Sequence, residues 1–277
     1  MTPYLEGPLR AAFDAWLEAT RGRYLPPLTF SEVRKSVQAL SSLYVERRSG
    51  GRIAARAIAG EGKRAAFATY YAPLHFLTTH QALARLGGED LNDVRVVHDL
   101  GCGTGAAGVA AATLLSVPPH FHAIDLSSWA LGEAVLTAHA FGLTSRTRRA
   151  ALPAALPRAG PDDLLVLGWV VNELPPDPRE RLLRGIEAAL ARGARLLVLE
   201  PLALSAAPWW PGWAERLAPR GVEEETLRCT LDLPVWIQEL DRACGLDHRE
   251  LRARVLLGPL GTSAAPRARS NPPPVRT

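Results

Sequence analysis

The segment Val96-Val-His-Asp-Leu-Gly-Cys-Gly-Thr-Gly-Ala-Ala-Gly108 constrains the fold of this chain more than any other. A short apolar run reaches Asp99, and glycines at 101, 103, 105 and 108 follow before an alanine-rich stretch. Glycines at this spacing let a chain leave a strand, turn tightly with its backbone open to a ligand, and begin a helix at once. Downstream, short apolar runs alternate with helical patterns. Strands are predicted at 94–100, 120–125, 163–171, 194–200 and 251–257, with a weak one near 149–152. This alternation predicts an α/β fold with a doubly wound, mostly parallel sheet. The 163–171 run is apolar almost throughout, as a strand covered on both faces requires. The helix after it is expected to take Asp177 as N-cap, Pro178 as first helical residue and Glu180 to complete a capping box, ending at Gly193.

Residues 1–90 read differently. Leu9, Phe13, Trp16 and Leu17 form one apolar stripe at helical spacing, and Val33, Val37, Leu40 and Tyr44 form another. A helix over 65–86 is closed by Gly87-Gly88. The expected organisation is a helical substrate-facing region at 1–90, a cofactor-binding core at 91–257, and a disordered tail at 258–277, rich in Pro, Ser and Arg. After Pro201, the Pro208–Trp213 stretch is expected to be a turn with aromatic anchors, and 233–244 a helix.

The acids discriminate among ligands. Asp99 stands two residues before the first glycine, where a pyrophosphate would be repelled and an ammonium or sulfonium attracted. Asp125 ends the next strand, placed to accept hydrogen bonds from a ribose diol. The bland alternatives are a cap residue at Asp99 and an ordinary loop carboxylate at Asp125. The order Asp-x-Gly-x-Gly-x-Gly, then an acid ending the second strand, resembles class I S-adenosylmethionine-dependent methyltransferases over roughly 94–257. That resemblance implies S-adenosyl-L-methionine as cofactor, held by Asp99, Gly101, Cys102, Gly103, Gly105, Asp125, Leu126 and Trp169. It also implies a loop beside the transferred methyl, Gly168-Trp-Val-Val-Asn-Glu-Leu-Pro175, in which Asn172 and Glu173 are the catalytic candidates. The family's Asn-Pro-Pro-Tyr pattern for adenine amines is absent, which leaves other acceptors open. Cys102 reads as a small residue of the turn rather than a nucleophile, and His98 as pointing to the opposite face of its strand.

A finer resemblance rests on Ser42-Leu-Tyr44, Ala66-Phe-Ala-Thr-Tyr-Tyr-Ala-Pro-Leu-His75, Asn172-Glu-Leu-Pro175 and Leu199-Glu-Pro201. Together these look like the mitochondrial and bacterial small-ribosomal-subunit methyltransferase-like family. It implies ribosomal RNA or the small subunit as partner, with Tyr71 and His75 facing the acceptor. That family commonly carries a C-terminal cysteine cluster. Here Cys229 and Cys244 cannot complete a four-ligand site, so no metal is expected.

The competing readings are a methyltransferase for a small molecule and a catalytically silent assembly factor. In the former, Tyr70, Tyr71, Phe76 and the Trp209–Trp213 cluster would line an apolar pocket. A net charge of +4 permits a polyanionic partner without requiring one. The arginines of 47–64 and Arg146, Arg148 and Arg149 are the candidate RNA surface. Three scattered cysteines fit a reducing, cytoplasmic location. The uncharged stretches 65–84 and 101–124 are too interrupted by Pro, His and Gly to span a membrane.

Overall fold

The computed structural model describes residues 2–46 and 58–260. Arg47, Arg48, Arg52 and Arg56 of the basic stretch, and 261–277 of the expected tail, lie outside the described residues. The first helices are α1 (Gly7–Tyr24), α2 (Phe30–Glu46), α3 (Glu61–Ala66) and α4 (Ala72–Leu86). The core helices are α5 (Ala106–Ala112), α6 (Ser128–Ala140), α7 (Pro176–Ala191), α8 (Trp210–Leu217) and α9 (Val235–Cys244). Strands β1 (Thr2–Pro3), β2 (Val96–Leu100), β3 (His120–Asp125), β4 (Ser145–Arg149), β5 (Asp163–Gly168), β6 (Arg195–Glu200), β7 (Glu223–Asp232) and β8 (Glu250–Gly258) form one sheet. Its order is β4-β3-β2-β5-β6-β8-β7-β1.

Strands β2 to β6 run parallel, and β8 is antiparallel to both β6 and β7. This is the doubly wound, mostly parallel α/β class expected from the sequence. The order reverses at β2, with β3 on one side and β5 on the other. A crevice opens at such a switch, outside the carboxyl ends of the strands. Asp99 pairs with Ala123 on one side and Val166 on the other. That register brings the ends of β2, β3 and β5 to one edge.

The pleat sorts side chains between two layers. In β5, Leu164 and Val166 join one apolar cluster while Leu165 and Leu167 join the other. The first cluster is covered by α1, α2, α4, α5, α6 and α9, and the second by α7 and α8. Residues 1–90 share the first cluster with the sheet: Phe13, Trp16 and Phe76 are buried in the same body as Val97, Phe121 and Leu227. Phe76 stacks on Phe141 at 4.9 Å, and Trp16 meets Phe141 edge-on at 5.9 Å. A polar clasp adds to this. Glu133 of α6 is buried, and it accepts hydrogen bonds from Arg23 at 2.5 Å and the Tyr24 hydroxyl at 2.8 Å.

Several expectations need correcting. The weak strand lies at 145–149, not 149–152, because an edge strand held by backbone pairing to β3 needs no apolar run. Helix α7 starts at Pro176 with Pro175 in the cap position and no side-chain cap; Asp177 falls in its first turn, and Glu180 pairs with Arg216 at 2.8 Å. Of the Pro208–Trp213 stretch only Pro208 and Trp209 form a turn; helix α8 starts at Trp210, burying Trp210 and Trp213 under the sheet. The helix expected at 65–86 is interrupted by a π-helical turn, Phe67–Tyr71. Pro73 explains the break, since it offers no N–H to the Thr69 carbonyl four residues back. That carbonyl instead accepts the Trp236 indole N–H at 3.0 Å. Strand β7 escaped prediction because its first four residues are polar and exposed; only Leu227, Cys229 and Leu231 alternate inward.

Gly108 is where helix α5 crosses β2. A Cβ there would lie 2.6 Å from both Asp99 Oδ2 and a Phe121 ring carbon. Gly108→Ala should therefore cost about 1–3 kcal/mol of stability through overpacking. Gly132→Ala, on the open face of α6 with nothing within 4 Å, should be neutral or stabilise by up to about 1 kcal/mol. Urea denaturation of the two variants checks the contrast. Equal midpoints would show that the crossing is not tight.

Candidate active site

The turn after β2 is built from hydrogen bonds that aim its backbone. Gly101 and Cys102 donate to the Ile124 carbonyl at 2.7 and 3.0 Å, and Gly105 donates to Cys102 at 2.8 Å. Gly101 sits at φ +72°, and a Cβ on it would meet Val170 at 2.2 Å, so a larger residue is excluded twice over. Asp125 clasps the turn from β3. Its Oδ2 accepts from Gly103 N at 3.0 Å and its Oδ1 from Ser127 N at 2.8 Å. Each oxygen keeps a further lone pair for a ligand. Ser127 then caps α6, accepting from Ala130 N at 3.2 Å.

Asp99 is buried behind the turn, and its Oδ2 accepts from Gly108 N at 3.0 Å. The cap role is real, yet one N–H is poor compensation for a buried charge. Burial therefore pushes its carboxyl from 3.8 to about 8, the Gly108 N–H opposes the shift, and the Asp125 charge adds to it. Burial raises Asp125 as well, against the N–H groups of Ser127, Gly103 and Leu126. The Cys102 thiol is pushed well up by burial and by both carboxylates, which disfavours the thiolate a nucleophile needs. His98 faces away from Asp99, bonded to Asp163 at 2.9 Å and edge-on to His122, as its place in the strand predicted.

These groups border a cavity of about 710 Å³. Of the expected cofactor residues, Asp99, Gly101, Cys102, Gly103, Asp125 and Trp169 line it. Tyr71, His75 and Glu173 line it as well. Gly105, Leu126 and Asn172 are not among its walls. Leu126 is 64% exposed, and Gly105 packs against Ala134 at the start of α5. The Asn172 amide is engaged elsewhere: Nδ2 donates to buried Glu200 at 2.6 Å, and Oδ1 accepts from Trp209 Nε1 at 2.6 Å. Asn172 thus anchors the Val171–Glu173 turn. Tyr70, Phe76 and the Trp209–Trp213 cluster also stay out of the cavity wall.

Trp169 carries the one positive φ among described non-glycine residues, +57°, immediately after β5. Non-glycine residues rarely hold this conformation, and it is found where a site fixes a side chain. Its indole stacks on His75 at 3.8 Å with rings 10° apart. Burial holds His75 neutral, its pKa lowered to about 3. The π-turn serves the same wall, because it directs both Phe67 and Tyr71 into the cavity. Sequence reasoning missed Phe67, Trp129 and His248 in the lining. Phe67 and Trp129 stand beside recognised motifs, whereas His248 follows an irregular loop with no local signal.

No protein-family model matches the chain, and no curated protein is a detectable relative. Solved structures of similar chain path include an S-adenosylmethionine-dependent methyltransferase from Leishmania major, 14% identical, covering 78% of this chain and 82% of that one, with TM-score 0.47. Others are the ribosomal protein L11 methylase of Lactobacillus delbrueckii (15% identical; 67% and 76%; TM-score 0.39) and the precorrin-6y C5,15-methyltransferase of Geobacter metallireducens (15%; 64% and 87%; 0.41). Likeness at this level carries no activity from those proteins to this chain, so the reaction has to be read from its own residues.

Among the described residues no group of three or more His, Cys, Asp or Glu side chains could hold a metal ion. Likewise, no helix among them is long and apolar enough to cross a membrane.

Proposed function

We propose that this chain is an S-adenosylmethionine-dependent methyltransferase whose acceptor is a small molecule. The observation that carries the reading is the pair of carboxylates, Asp99 and Asp125, at adjacent strand ends in one cavity wall. Asp99 is a buried acid with one N–H for company, and an ammonium group fits that need. Asp125 retains the lone pairs a ribose diol requires, while Gly101, Cys102 and Gly103 present open backbone. A nicotinamide dinucleotide would bring its pyrophosphate toward Asp99, so that acid is the one that discriminates, since Asp125 suits a ribose of either cofactor. The bound cofactor would supply an electrophilic methyl on a sulfonium. The chain's own part is to hold the acceptor in line and keep water out.

The cavity's size supports a small acceptor, since about 300–1,000 Å³ is usual for sites that enclose ligands. The alternative partner, ribosomal RNA or the small subunit, draws on arginines. Arg146, Arg148 and Arg149 are exposed along β4, while Arg64 lies over Trp129. Calorimetry decides the cofactor. S-Adenosylhomocysteine should bind and NAD should not; NAD binding without a response to S-adenosylhomocysteine would overturn the reading. Asp125→Ala should weaken the former by about 1–3 kcal/mol.

Proton linkage provides a further check. Asp99, with a pKa of about 8, is mostly neutral at pH 7 and must ionise to pair with an ammonium group. Affinity should therefore rise as pH climbs from about 6 toward 8, where the ligand's own ammonium begins to lose its proton, and the proton that Asp99 releases should be visible in the buffer's ionisation heat. Fluorescence anisotropy with small-subunit RNA fragments at two salt concentrations tests the alternative. Tight, salt-dependent binding there would replace the small-molecule acceptor.

A further inference from the structure

We propose that His248 accepts the proton of a phenolic hydroxyl on the acceptor, with Asp241 and Tyr70 as its positioning residues. This inference rests on the methyltransferase reading and names its substrate class.

Three groups from distant parts of the chain converge behind the cavity wall. Asp241 on α9 is nearly buried, its side chain 7% exposed. Its Oδ1 accepts from the Tyr70 hydroxyl and from His248 Nδ1, the latter at 2.9 Å, and its Oδ2 accepts from the His248 backbone N–H at 2.9 Å. Tyr70 Oη also lies 2.9 Å from His248 Nδ1. Although burial raises the Asp241 carboxyl, the hydrogen bonds from His248 and Tyr70 outweigh it and hold the group ionised. An ionised carboxylate only accepts, so both neighbours must donate. Burial and Asp241 push the Tyr70 hydroxyl up, which keeps its proton in place.

The tautomer of His248 follows. Nδ1 carries the hydrogen, and in the neutral ring Nε2 holds the lone pair. Among the described residues Nε2 has no hydrogen-bond partner, and the ring borders the same cavity as Asp99 and Asp125. A histidine oriented by a buried carboxylate, with its other nitrogen unengaged and its side chain in the lining of a cavity, has the makings of a general base. Of the titratable groups that share the cavity with it, Asp247 is paired with Arg249 at 2.7 Å and His75 is neutral; Tyr71, Glu173, Glu250 and Arg252 line it too.

The chemistry of the base selects the acceptor. A carboxylate acceptor needs no base, and an alkyl alcohol, a far weaker acid than a phenol, gives up its proton to imidazole less readily. A phenol, with pKa about 10 against about 6.5 for imidazole, is within reach. Phe67, Tyr71 and Trp169 line the cavity, an aromatic wall suited to an aromatic acceptor. In the step, the phenol O–H bond breaks and its proton passes to His248 Nε2. The oxygen pair forms the new O–CH₃ bond as the methyl's bond to sulfur breaks, leaving that electron pair on a neutral thioether. The imidazolium then releases its proton to solvent.

The test compares two phenols with S-adenosylmethionine: catechol, protonated at neutral pH, and 4-nitrophenol, already ionised in mildly alkaline buffer. His248→Gln should lower kcat/KM for catechol by about 10²–10⁴-fold. It should leave 4-nitrophenol turnover within a few-fold. A second readout needs no turnover. Nitrogen-15 spectra of histidine-labelled protein should show His248 protonated at Nδ1 and bare at Nε2, and Asp241→Asn should abolish that preference. Equal losses on both phenols, or a His248 proton on Nε2, would overturn the proposal. Binding of S-adenosylhomocysteine with no methyl ether from any phenol would overturn it too, while leaving the cofactor reading intact. If S-adenosylhomocysteine fails to bind, both fall.

Discussion

Asp99→Asn should make the ligand-free protein more stable while removing its affinity for S-adenosylhomocysteine. Asp99 binds its proton more tightly folded than unfolded, its pKa rising from 3.8 to about 8 chiefly through burial. Between those values the folded state holds the extra proton, so stability falls as pH rises through the window and is lowest above about 8. Asparagine carries no charge to bury, and its carbonyl can still accept the Gly108 N–H. At pH 8.5 the variant should gain about 1 kcal/mol or more, roughly 2–4 °C in melting temperature for a chain of this size. Near pH 4 the difference should vanish. Affinity should drop by about 2–5 kcal/mol, the usual cost of deleting one partner of a buried charge pair. Differential scanning calorimetry and titration calorimetry at both pH values read these effects. A variant that melts lower at pH 8.5 and binds normally would show Asp99 to be structural.

Deleting residues 1–90 should abolish cooperative folding rather than merely uncover the site. The first cluster joins Phe13, Trp16, Tyr70, Phe76 and Leu83 to Val97, Phe121 and Leu227 without a break. Losing Phe13 alone, fully buried, should cost about 3–5 kcal/mol, within the 5–15 kcal/mol that holds a typical domain together. The whole segment removes far more. The truncated chain should lack a cooperative thermal transition. A soluble fragment 91–260 that melts sharply would show the helical segment to be an independent cap.

The core was legible because its signals are local. The 96–108 segment carries strand, turn and helix start in consecutive residues, and Asp125 ends the short strand that follows, so both acids were found from spacing. What escaped was set by tertiary partners. Nothing around Asn172 announces that Glu200 and Trp209 will engage both ends of its amide. Asp241 and His248 are ordinary residues of a helix and a loop until the fold brings Tyr70, 171 positions from Asp241, between them. Edge strands were the other gap. Arg146 to Arg149 and Glu223 to Thr226 take their conformation from backbone pairing, which leaves little imprint on side-chain type.

The site's walls run from Ser41 to Arg252 in the chain, and the first strand, Thr2–Pro3, is hydrogen-bonded beside Leu231. Pairings across such sequence separations form slowly, because loop closure precedes any reward from contact. During synthesis the ribosome must therefore release nearly the whole chain before the pocket can exist. Until then the aromatic residues of α1 and α4 lack the sheet that buries them, and they are the surfaces a chaperone would meet first.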